Sequence, residues 1–195
     1  MSYEDFNVRR AMDKLGCRVQ ELGFLSTVRP VEPSADLLAA LKLLGGPLVV
    51  SSEKSRSEAL IAPILSEAAQ RTRTRLFSGE NFDVDSEQGL VGFVDFLFSR
   101  SAPGKTIVDP VLCIAEAKRA DMDSHAFGQC IATMIAAHRF NRDKQAPVFG
   151  CVTTGHDWQF LRLQKDLVDI DPQVYFQDRL DLILGILVSF LQLPA

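Results

Sequence analysis

The chain has 195 residues, 47% hydrophobic and 24% charged, with a formal net charge of −4. That balance excludes a disordered chain and, with no internal repeat, fits a single globular core with or without a terminal extension. It also argues against a protein that coats nucleic acid with basic surface, while leaving room for a local basic cleft drawn from Arg71, Arg73, Arg75, Lys118, Arg119, Arg139, Arg142 and Lys144.

Met1-Ser2-Tyr3-Glu4-Asp5-Phe6 has no basic segment followed by an apolar run, so no signal peptide is expected and a cytoplasmic location follows by default. From Tyr3 to Leu25, Phe6, Val8, Met12, Leu15, Val19, Leu22 and Leu25 recur at helical steps, which predicts a first helix. Pro30 and Pro33 interrupt it. Ser34 then caps a second helix, Asp36 to Leu44, that Gly45, Gly46 and Pro47 end. Residues 1–47 are thus expected to form an N-terminal helical extension, and residues 48–195 the main domain.

After the apolar run Leu48-Val49-Val50, a helix is predicted from about Ser57 to Thr74, with Pro63 shifting its start or kinking it. The period then changes to two. Leu76 to Asp85, Gly89 to Arg100 and Ile107 to Lys118 are rich in Val, Ile and Phe and are separated by turn residues, which predicts a three-stranded meander. Helical spacing returns from Asp123 to Arg139, with Asp123 or Ser124 as cap. Val148 to Val152 reads as a strand buried on both sides, Trp158 to Leu163 as another, and Val174 to Phe176 as a possible last one. A closing helix spans Asp178 to Leu193; its apolar stretch is shorter than the roughly 20 residues that cross a bilayer, so no membrane association is expected.

Two carboxylates stand out against this pattern. Asp95 is the lone charge in Val91-Gly92-Phe93-Val94-Asp95-Phe96-Leu97-Phe98, and Glu116 ends the apolar strand Val111-Leu112-Cys113-Ile114. Charge at such positions is costly unless it is paired or binds a metal. Residues two apart in a strand face the same way, so Glu116 and Lys118 share one surface. If the two strands pair, Asp95 and Glu116 converge on one cation, and all-oxygen ligation suits Mg²⁺ or Mn²⁺ better than zinc. A hard cation lowers the pKa of a bound water and neutralises charge building on a phosphate, the needs of phosphodiester hydrolysis.

An Asp on the second strand, Glu116-Ala117-Lys118 on the third and a glutamine in the next helix resemble the PD-(D/E)XK, restriction endonuclease-like superfamily, over about Ser57 to Leu163. The resemblance implies an α/β fold with a central mixed sheet flanked by helices. It implies that Asp95 and Glu116 bind divalent metal and that Lys118 positions or activates water. It adds Glu58, at the place of an acidic residue that often joins from the preceding helix, and Gln129, which resembles a helix glutamine facing the active site in some branches. Val94 stands where the family name has proline. The implied activity is metal-dependent hydrolysis of nucleic acid, DNA before RNA. Two other readings stand beside it: a catalytically silent module of the same fold that binds protein or nucleic acid, and a hydrolase acting on a small phosphorylated substrate. The apolar terminal helices, 3 to 25 and 178 to 193, suggest a homodimer, an arrangement common in the superfamily.

The remaining motifs have plainer explanations. Glu116 and Lys118 also fit an ordinary surface pair, and Ser55-x-x-Glu58 a capping box. Asp121-x-Asp123-x-His125 fits a solvated loop with a helix cap, and the arginines at 71, 73 and 75 suit a helix C-terminus. His138 and His156 lack partners at ligand spacing. Pro103-Gly104-Lys105-Thr106 lacks the first glycine of a phosphate-binding loop, since Ser99 stands in its place. Cys17, Cys113, Cys130 and Cys151 form no CxxC pair and read as buried thiols.

Overall fold

Asn7 begins the first regular element by accepting the Arg10 backbone N–H at 2.8 Å, and helix α1 (Val8–Leu15) runs until Gly16 takes φ 71°, a conformation that few residues other than glycine adopt at low cost. The chain then extends into strand β1 (Arg18–Glu21). The single helix expected from Tyr3 to Leu25 is therefore overturned. Its stripe was real but served two structures: Phe6 and Ala11 are buried beside the long helix described below, whereas Val19 lies in a strand. The computed structural model describes residues 1–45, 52–100, 106–118 and 122–192. Leu48-Val49-Val50, Lys105, Arg119, Asp121 and Leu193 fall outside these residues.

Helix α2 (Ala35–Gly45) starts as expected, with Ser34 Oγ accepting the Leu37 N–H at 3.1 Å. Helix α3 (Glu53–Arg56) begins earlier than the pattern suggested. Ser52 and Ser55 cap each other's backbone N–H at 3.0 Å, so the capping box closes one turn before Glu58 and gives that residue no role in it. A wide turn, Ser57–Ile61, follows, in which the Ala62 N–H reaches back five residues to the Ser57 carbonyl. Pro63, in the first turn of helix α4 (Ala62–Thr72), lacks a backbone donor, and the wider turn accommodates it without ending the helical path.

The meander forms as predicted: β2 (Arg75–Asn81), β3 (Phe93–Ser99) and β4 (Val111–Ala117) are antiparallel neighbours. Helix α5 (Ser124–Phe140) is capped by Asp123, whose Oδ1 accepts the N–H groups of His125 and Ala126 at 3.0 and 2.9 Å. It returns the chain to β5 (Val148–Thr153), parallel to β4. Strands β6 (Asp157–Gln164) and β7 (Leu167–Ile170) form a hairpin, with Lys165 at φ 59° in the turn. The sequence pattern did not announce β7. A two-residue β8 (Tyr175–Phe176) and helix α6 (Leu180–Leu191) complete the order.

The result is an α/β fold with one mixed eight-stranded sheet, ordered β1-β7-β6-β5-β4-β3-β2 with β8 beside β6. Helices α1 and α5 cover one face, where Phe6, Ile131 and Met134 meet Leu97, Ile114 and Val152. Helices α2, α4 and α6 cover the other, where Ile64, Leu65, Ile183 and Leu187 meet Phe98, Cys113 and Phe160. Residues 3–21 are thus part of the main core and of the sheet edge. Gly128 is where α1 approaches α5: a Cβ there would collide with the Asn7 backbone. The apolar side chains of α6 from Leu180 to Leu191 are buried within the chain apart from the half-buried Leu182, whereas Met12 and Leu22 near the N-terminus are exposed. No helix among the described residues is long and apolar enough to cross a membrane.

Candidate active site

The β3–β4 ladder pairs Phe98 with Cys113, Leu97 with Ile114 and Phe96 with Ala115, then stops. One step further, the Asp95 carboxylate replaces a main-chain acceptor: Oδ2 accepts the Ala117 N–H at 2.9 Å. On the other side of β4, Ala117 pairs with Thr153 and the Thr153 carbonyl accepts the Lys118 N–H at 2.8 Å. The Glu116-Ala117-Lys118 backbone is therefore held from both sides. Glu116 and Lys118 face α5, as alternation requires, and Lys118 Nζ donates to Glu116 Oε1 at 3.2 Å and to Gln129 Oε1 at 2.9 Å. The structure brings Asp95, Glu116, Lys118 and Gln129 together at one end of the sheet.

Their electrostatics are strained. Glu116 is 1% exposed, and its Oε2 has no hydrogen-bond partner among the described residues. Burial, then repulsion from Asp95, pushes its pKa well above the carboxylate range; the nearby Lys118 ammonium does not compensate. Burial alone would lower the Lys118 pKa, but the charges of Glu116 and Asp95 outweigh it and hold the ammonium above its ordinary value. Lys118 is therefore a fixed cation near neutral pH, positioned by a carboxylate and an amide. An exposed strand-end pair would not be built this way.

Glu58 comes to the same region by a different route. It lines an open cleft with Glu53, Lys54, Ser78, Gly79 and Asp95, where it is exposed and 3.9 Å from Lys54 Nζ. It does not complete a tight cluster: among the described residues, no three His, Cys, Asp or Glu side chains are grouped to hold an ion. A divalent cation nevertheless suits the Asp95–Glu116 pair, which offers oxygen donors only and includes a buried oxygen that lacks a partner among the described residues. Sequence reasoning missed Glu53, whose charge acts on Lys118 from α3, and the Thr153 carbonyl. Glu53 preceded the predicted helix start, and a backbone carbonyl leaves no trace in residue type.

Among the described residues, Arg71, Arg139 and Lys144 do not line one cleft. Arg71 is tied to Glu67 at 2.7 Å and Arg139 to Asp85 at 2.7 Å, while Lys144 Nζ donates to the His138 and Arg139 carbonyls at the far end of α5. That end is ~25 Å from the helix start, given 1.5 Å per residue. His138 contacts the Lys144 carbonyl and His156 the Gln177 side chain. All four cysteines are free and buried, and burial raises their thiol pKa values. Compared with protein-family models and with curated proteins, the chain has no match.

Proposed function

We propose that the protein is a divalent-metal-dependent nuclease of the restriction endonuclease-like, PD-(D/E)XK type, hydrolysing phosphodiester bonds in nucleic acid, DNA before RNA. The observation that carries this reading is the meeting of Asp95 with Glu116 and Lys118 where the β3–β4 ladder ends, with one buried Glu116 oxygen lacking a partner among the described residues. Asp95 and Glu116 would hold Mg²⁺ or Mn²⁺, and Glu58 lines the same cleft as Asp95. When bound, the cation supplies charge neutralisation at the phosphate and a lowered pKa for water. Lys118 contributes a fixed positive charge beside the same oxygens and orients the attacking water through its ammonium hydrogens. Gln129 holds Lys118 in position, and the backbone of β5 fixes the strand that carries it.

The test is direct. Purified protein is incubated with DNA and with RNA in Mg²⁺ or Mn²⁺, alongside Asp95→Ala and Lys118→Ala. Cleavage by the parent that both variants lose supports the assignment; cleavage unchanged in either variant refutes it.

The dispersal of Arg71, Arg139 and Lys144 favours a second reading, a fold kept for interaction without catalysis. Tight Mn²⁺ binding by titration calorimetry, abolished by Glu116→Ala, counts against that module. A dinucleotide ester hydrolysed as fast as long DNA would instead indicate a small phosphorylated substrate.

A further inference from the structure

The open cleft that Asp95 lines is walled by Glu53, Lys54 and Glu58, from α3 and the wide turn after it, and by Ser78 and Gly79 of β2. Its charged side chains are three carboxylates and one ammonium, so by itself the cleft repels a phosphate. A divalent cation at Asp95 and Glu116 adds two positive charges, and Lys118 already answers Glu116. The cleft then balances only because Lys54 is there. Among the described residues Lys54 is the one cation lining this cleft, and it is the group placed to meet an anion entering from solvent.

The position of Lys54 is fixed, whereas its side chain is not. Helix α3 is pinned by the reciprocal Ser52–Ser55 cap at 3.0 Å and by the Arg56 Nη1 bond to the Thr154 carbonyl at 3.3 Å, just past the end of β5. The Lys54 ammonium, by contrast, lies 3.9 Å from Glu58, and the two side chains are 84% and 63% exposed. A pair so long and so exposed contributes little to stability and is readily broken. Lys118 differs on each count: it is largely buried and donates to both Glu116 and Gln129.

Building on the nuclease reading, we propose that Lys54 binds a non-bridging oxygen of the substrate phosphate as that phosphate comes onto the cation held by Asp95 and Glu116. A compact ammonium on a flexible four-carbon stem suits a point contact with one phosphate oxygen. As Glu58 turns to the cation, Lys54 turns to the anion, so the cation and the phosphate strengthen each other's binding. Lys54 is a substrate-binding residue in this scheme, separate from the Lys118 that assists water.

The experiment uses the full chain, Lys54→Gln and Lys54→Arg, with Mn²⁺ alone, a short DNA duplex and inorganic phosphate as probes. Lys54→Gln is expected to keep the parent's melting temperature and to bind Mn²⁺ at least as tightly, because it removes a positive charge from the cleft. In Mn²⁺ it is expected to bind the duplex roughly 10-fold more weakly, the lower end for loss of a charged hydrogen bond. In EDTA, its duplex affinity should match the parent's. Lys54→Arg keeps the charge and should restore binding in Mn²⁺ to within about threefold of the parent. A loss in Lys54→Gln of less than fivefold in Mn²⁺ overturns the proposal. An equal loss in EDTA does so too, since it marks diffuse surface charge, as does weaker Mn²⁺ binding, which marks a residue supporting the cation site. Lys54→Arg binding as weakly as Lys54→Gln also overturns it. A parent chain that does not cut nucleic acid refutes the nuclease reading alone. Its Mn²⁺-dependent binding of duplex or phosphate still decides Lys54: binding lost in Lys54→Gln supports the anion site, while binding that persists there, or that the parent lacks, overturns it.

Discussion

Glu116 and Asp169 are both buried carboxylates of the same sheet, at 1% and 3% exposure, yet their surroundings differ completely. Asp169, on β7, accepts from Arg162 Nε and Nη2 at 3.1 and 2.7 Å through Oδ2, and from Gln20 Nε2 at 2.7 Å through Oδ1. Both oxygens are satisfied, and the network ties β1, β6 and β7 together. Glu116 has one oxygen bonded to Lys118 and one without a partner among the described residues, beside a second carboxylate. Burial alone therefore does not mark a functional carboxylate. The difference lies in whether the fold supplies everything the charge needs, and at Glu116 it does not.

Catalysis offers the largest way to break the comparison. Under the proposed function, Asp95→Ala and Glu116→Gln lower single-turnover cleavage ~100- to 1000-fold, the range for removing an electrostatic catalytic group. Asp169→Asn leaves cleavage per folded molecule within about threefold, because it lies away from the Asp95–Glu116 pair. A comparable loss in Asp169→Asn, measured on protein shown to be folded, would erase the distinction.

Stability gives the converse. Asp169→Ala leaves Arg162 partly buried without its carboxylate, and breaking such a pair costs about 3–5 kcal/mol. Glu116→Gln replaces a buried carboxyl whose charged form is disfavoured and costs little or nothing in chelator. Urea unfolding of the two variants in EDTA checks the order; a larger loss in Glu116→Gln contradicts it.

These two sites also show what residue order reveals and what it hides. Asp95 and Glu116 were visible because a charge inside Val/Phe/Ile alternation is anomalous, and alternation also assigned Glu116 and Lys118 to one face. The β2–β4 meander and α5 were visible because their periods are long and uninterrupted. Asp169 was missed because Leu167–Ile170 is only four residues, preceded by a polar turn, and its partner Gln20 is supplied by a segment whose spacing mimicked a helix. The early start of α3 was hidden because the helix was read from about Ser57 with Pro63 shifting or kinking it, and the wide turn that accommodates the proline has no residue signature. The unpartnered Glu116 oxygen depends on what surrounds it in three dimensions, so no pattern of residue types could reveal it.

Metal addition sharpens the comparison at intermediate scale. A cation that binds the folded chain at 100 times its dissociation constant stabilises it by about 2.7 kcal/mol. The parent should therefore melt higher in Mn²⁺ than in EDTA, Asp169→Asn should show the same increment from a lower start, and Glu116→Gln should show almost none. An equal increment in Glu116→Gln removes that residue from the ligand set.

The smallest effect, pH dependence in chelator, separates carboxylates by sign. Glu116 is raised in the folded state, so the folded chain keeps a proton that the unfolded chain releases near 4.5. Its contribution is complete below that value and is lost as pH rises through the raised folded pKa, at up to ~1.4 kcal/mol per pH unit. Glu67 behaves oppositely. Burial raises its pKa, but hydrogen bonds from Ser34 and Arg71 outweigh this and leave it lowered, so its contribution is present above 4.5 and is lost as pH falls through the folded value. Glu116→Gln should flatten the decline of stability above pH 4.5 and leave the acid limb alone, whereas Glu67→Gln should flatten the acid limb only. Urea midpoints measured from pH 3 to pH 8 test both at once. A Glu116→Gln profile parallel to the parent above pH 4.5 would mean that Glu116 is already ionised without a cation, and the contrast with Asp169 would then lose its electrostatic basis.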